Sequence, residues 1–149
     1  MSLWRAALQS LAIPLVAGLF ICLITGSLQQ QHLVLAWPLL VEPDSVPWQE
    51  SLLASLPAMM LFILLARWVR SDRGRALGFI TLVFLAAFFN CLLFAESFGS
   101  TWSTGAILSA LLLGHLHLLA LALLPGGMLL GLIRLALPAR PTDAPQHRS

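Results

Sequence analysis

Nine residues, Arg67-Trp68-Val69-Arg70-Ser71-Asp72-Arg73-Gly74-Arg75, break an otherwise apolar middle of the chain with four arginines. The runs on either side approach or reach the ~20 apolar residues that a helix needs to cross a bilayer. Arginines crowded this closely resist translocation, so the break is expected on the cytoplasmic side with the two flanking runs crossing away from it. Composition leaves no other solution: 59% of the 149 residues are hydrophobic and 9% charged, where soluble domains carry about a quarter charged residues. The mean hydropathy is +0.91.

The eight basic residues are all arginine, at Arg5, Arg67, Arg70, Arg73, Arg75, Arg134, Arg140 and Arg148. An even number of crossings puts every one of them on one side, and puts Glu42, Asp44, Glu50 and Glu96 on the other. That bias predicts an all-α integral membrane protein, a bundle of four transmembrane helices with both termini cytoplasmic. The expected spans are about 8–28, 51–69, 76–98 and 105–137, forming one unit over 1–137, with a disordered cytoplasmic tail over 138–149. The arginines need no nucleic acid to explain them. The first span is expected to stay uncleaved, although Thr25-Gly26-Ser27 offers small residues of the kind a signal peptidase cuts. Cys22 and Cys91 both fall within spans and have neither disulfide-framework nor zinc-ligand spacing.

Between the first two spans, Leu33 to Val41 is apolar around Trp37-Pro38. As a helix it would cover only ~14 Å, so it cannot cross and is expected at the outer interface, or dipping in and returning. Trp37 and Trp48 suit the headgroup level, and the prolines stiffen the stretch. Pro57 is expected to kink the second span. The last apolar run, Gly105 to Leu137, is too long for one upright crossing. It is expected either to tilt and bend near Pro125-Gly126-Gly127, or to cross by about Leu124 and continue along the inner interface.

Small residues recur every four positions: Pro14, Gly18, Cys22 and Gly26; Ala54, Ala58 and Ala66; Ala87, Cys91, Ala95 and Gly99; Ala106, Ala110, Gly114, Ala122 and Gly126. That spacing returns to nearly the same helix face, where small side chains let backbones approach. Gly127 and Gly131 make a separate G-x-x-x-G pair, suited to packing inside the bundle or against another subunit.

The intramembrane polar residues are Asn90, His115 and His117. Residues two apart on an ideal helix point about 200° apart, so the two histidines are not expected to share one ion without unwinding. His117, about 60° from the Gly114 face, is the one expected to look inward. A haem would need a second axial ligand, for which His32 is the other candidate outside the tail. No phosphate loop, nucleophile elbow, zincin motif or intramembrane aspartate pair is present.

The expectation is therefore a non-enzymatic protein of a bacterial inner membrane, with no cofactor or metal. Its partners would be the lipid bilayer and another membrane protein or itself, as accessory subunit, assembly factor or immunity-type protector. Candidate docking residues are Leu33, Trp37, Pro38 and Trp48, with Gly127 and Gly131. An oligomeric pore or small-solute transporter is the alternative, and a haem or redox protein using His117 or His115 the third.

Overall fold

The computed structural model describes residues 3–30, 33–38, 46–69, 71–98 and 102–136. Residues 39–45, His32, Gly99 and the tail 138–149 lie outside them. The described residues are helical apart from short connections, and four helical stretches are long and apolar enough to cross a membrane: Leu3–Gln29, Pro47–Trp68, Asp72–Leu93 and Leu116–Ile133.

The first stretch is two helices, α1 (Leu3–Ser10) and α2 (Ala12–Gln30), meeting at Leu11. Pro14 explains the joint. It has no N–H for the Ser10 carbonyl, and its ring crowds that carbonyl. The Leu11 N–H donates instead to Leu8 O, three residues back, at 3.3 Å. Helix α3 (Pro47–Trp68) starts with proline at its first position, where the missing N–H costs nothing, and retains Pro57 in its interior.

Most of the arginine stretch is helical: α3 runs to Trp68 and α4 (Asp72–Leu93) begins at Asp72. The Ser71 hydroxyl accepts from the Gly74 N–H at 3.1 Å and so caps α4. Asp72 in the first turn favours the positive helix end. It also pairs with Arg75 at 3.6 Å. Arg67 closes the last turn of α3, where carbonyl oxygens favour a cation.

The last apolar run breaks about ten residues before the expected bend. A single turn, α5 (Thr104–Ala106), runs into a π-helix over Ile107–Leu113, and after Gly114 and His115 the chain resumes as α6 (Leu116–Ala136) with Pro125 in its interior. The Gly114 N–H donates to Ser109 O, five residues back, at 3.0 Å. Ser109 Oγ donates to Gly105 O at 2.9 Å.

Helix α2 is central and packs against α3, α4 and α6, while α1 packs against α3 and α6. Ile13, Val16, Ala17, Phe20, Ile21 and Ile24 are wholly buried. Helices α3 and α4 pack together, with Phe62 and Phe79 edge to face at 5.9 Å between ring centroids. Gly126 of α6 lies against Val16 and the Ala12 carbonyl of α2, leaving no room for a Cβ.

The small-residue face of the first span packs largely against non-helical chain. Val34 backbone occupies the space a Cβ on Gly26 would take, and Trp37 lies over Gly18. The fourth seam is split. Ala122 and Gly126, on α6, are buried, whereas Ala110 within the π-helix and Gly114 at its end are exposed.

Candidate functional site

Three features gather polar or accessible groups. The first is a ladder between α3 and α4. Asn90 is fully buried and its Nδ2 donates to Ser55 Oγ at 3.2 Å and to Ala86 O at 2.8 Å. Ser55 Oγ in turn donates to Ser51 O at 2.8 Å. Asn90 Oδ1 and Ser51 Oγ are buried with no hydrogen-bond partner. Ser51 and Ser55 are functional candidates that the sequence reading missed. Their signal was spacing: Ser51, Ser55, Ala58, Phe62 and Ala66 form the buried face of α3, and two hydroxyls on a face of that kind are informative.

The second feature is the segment 33–38. It is extended and runs back along α2, with the Ala36 N–H donating to Cys22 O at 3.2 Å. Leu33, Leu35, Trp37 and Trp48 remain exposed, but Pro38 is buried and offers no docking surface. Trp37 and Trp48 line a cleft of about 530 Å³ between α2 and α3, with Pro14, Gly18, Cys22 and Ser51 in its walls. Its size is that of a small-molecule or acyl-chain site. Cys22 and Cys91 are both free thiols.

The third is the π-helix and the two histidines that follow it. His115 is half-buried and His117 exposed, the reverse of the expected arrangement, because the wide turn upsets the ~100° per residue on which the expectation rests. His115 Nδ1 lies 3.2 Å from Ala110 O and 3.0 Å from Leu111 O. Both carbonyls can only accept, so Nδ1 is the donor in each contact. The two rings lie 6.1 Å apart between centroids, with planes 32° apart. The apolar stretch Thr104–Leu113 precedes the pair and the fourth candidate span, Leu116–Ile133, follows, so the histidines sit where two apolar helical stretches meet.

Gly127 and Gly131 have open space where a Cβ would stand, so the pair packs against nothing within the described chain. Both border a groove of about 370 Å³ between α4 and α6, with Gln9, Phe62 and Arg75 also in its lining.

Among the described residues no three His, Cys, Asp or Glu side chains gather as a metal-binding group. No family model matches the chain, and neither the curated proteins nor the solved structures contain a match to it.

Proposed function

We propose that this chain is a non-enzymatic, multi-pass protein of a bacterial inner membrane that works by binding another membrane protein, as an accessory subunit, assembly factor or immunity-type protector. In this reading the arginine end faces the cytoplasm with both termini, in keeping with the one-sided distribution of arginine.

The observation that carries the reading is the open face of α6. Gly127 and Gly131 stand one turn apart with nothing over them, on the least buried of the four candidate spans. In lipid, helices associate through close backbone approach rather than through a hydrophobic effect, and paired glycines are what that approach needs. Within the chain, Gly126 already serves this purpose against α2. The neighbouring pair therefore supports a contact with a further helix, and the exposed Leu33, Leu35 and Trp48 extend the available surface at the opposite end.

The test is purification in a mild detergent from native membranes, with the mass of the intact particle determined. A stable particle containing a second protein, lost when both glycines are replaced by leucine, is the expected result. A particle of the 16.2 kDa chain alone would contradict the proposal, and a clean homo-oligomer would move the pore reading ahead of it.

A further inference from the structure

We infer that the cleft between α2 and α3 is a binding site for one acyl chain of a membrane glycerolipid, whose ester carbonyl accepts a hydrogen bond from Ser51.

The cleft follows one face of α2. Pro14, Gly18 and Cys22 recur every four residues along its wall, and their compact side chains leave a hollow of about 530 Å³ that α3 does not fill. From Leu11, at the joint, to Cys22 that wall runs for about 16 Å at the helical rise. One leaflet of bilayer hydrocarbon is about 15 Å thick, half of the ~30 Å core. The cleft therefore has the depth of a single acyl chain lying along the helix. Leu11 and Leu15 in its wall are exposed, so it opens on the flank of the bundle, where lipid chains lie.

Ser51 gives the cleft its polar point. It stands one turn after Pro47, the first residue of α3, and is 2% exposed, and its Oγ has no hydrogen-bond partner among the described residues. Hydrocarbon holds no water to satisfy such a hydroxyl, so leaving it unpaired is costly. The hydroxyl is turned toward the α2 wall: Ser51 Oγ lies 3.5 Å from where a Cβ on Gly18 would stand, and the Trp37 ring lies 3.4 Å from the same point. That ring closes over the hydroxyl. Trp37 is 42% exposed and sits on extended chain rather than on a helix, so it is the group that yields when a lipid enters. Trp48, also in the lining, lies one turn before Ser51 on α3. Tryptophans suit the level at which lipid esters meet hydrocarbon.

The lining selects among lipid groups. No charged side chain lines the cleft among the described residues. The carboxylate of a free fatty acid, or a phosphate, would enter it unpaired and at high cost. A neutral ester carbonyl can only accept, and so complements a lone hydroxyl donor. Standing at the head of an acyl chain, it places the hydrogen bond and the apolar contacts on one molecule. This inference does not depend on the proposed partner at α6.

The experiment uses the full chain in mild detergent, stripped of native lipid. It is titrated with dioleoylphosphatidylcholine or with the ether-linked counterpart, which keeps the headgroup and chain length but has no ester carbonyl. Bound lipid is counted by mass spectrometry of the intact particle, and circular dichroism checks that each variant keeps the helix content of the unaltered chain. The expected result is saturable binding of the diester, with the diether bound about fivefold more weakly, the worth of one ordinary hydrogen bond. Ser51→Ala should abolish that preference, because it removes the donor and little else. Gly18→Leu, which fills the cleft beside Trp37, should weaken both lipids more than Ser51→Ala does. Absence of saturable binding, equal binding of the two lipids by the unaltered chain, or a preference that survives Ser51→Ala would overturn the inference.

Discussion

The first and last of the four long helical stretches are almost equally apolar, with mean hydropathies of 2.3 and 2.1, yet 67% of the first is buried within the chain against 22% of the last. In water such a difference could not persist, because an exposed apolar helix would find cover. In lipid it costs little, since hydrocarbon is as good a surrounding as leucine, and apolarity therefore says which segments cross without saying which one stands in the middle. What separates the two helices is their minority residues. The first buries Gln9, Ser10 and Thr25, and sets Gly18 and Gly26 against other chain. The last buries Ala122 and Gly126 on one side, and leaves Gly127, Met128 and Leu132 exposed.

The comparison can be broken most forcefully at Phe20, which is wholly buried on α2. Phe20→Ala should destabilise the protein by about 3–5 kcal/mol, whereas Leu132→Ala, on the open side of α6, should stay within about 0.5 kcal/mol. Thermal unfolding in detergent measures both, and equal losses would mean that α2 is not central. A smaller contrast is available between adjacent glycines. Gly126→Val drives its branched side chain into Val16 and should cost about 1–3 kcal/mol, while Gly127→Val meets open space and should leave the midpoint almost unchanged while reducing co-purification of a partner. The smallest effect is expected at Asn90. Asn90→Ala removes the hydrogen bond to Ser55 and should cost about 0.6 kcal/mol, as typical interhelical bonds in membranes do. A double-mutant cycle with Ser55→Ala should recover most of that as coupling, and additive losses would dismiss the ladder as a link between α3 and α4.

The helices themselves were legible from apolar run length, and the burial of Gly18, Cys22 and Gly26 from their spacing. What covers Gly26 was not, because spacing reports a close approach without naming what approaches, and here it is the extended chain at Val34. The start of α4 was legible but unread: Ser71 followed by Asp72 is a helix-capping signal inside what looked like an arginine loop. Pro125 was the strongest breaking signal in the last run, yet α6 contains it, since a proline removes one N–H and membrane helices tolerate that. The break came at the π-helix, for which no residue pattern gives notice. The facing of His115 and His117 was misjudged for the same reason, because angular arithmetic along a helix holds only while each turn has the same width.

If another membrane protein covers the open face of α6, it must come within reach of Gly131. A photocrosslinking residue in place of Gly131, activated in native membranes, tests it directly. A discrete protein adduct is expected from that position and none from Leu77, which is exposed on α4. Adducts to lipid alone at both positions would contradict it.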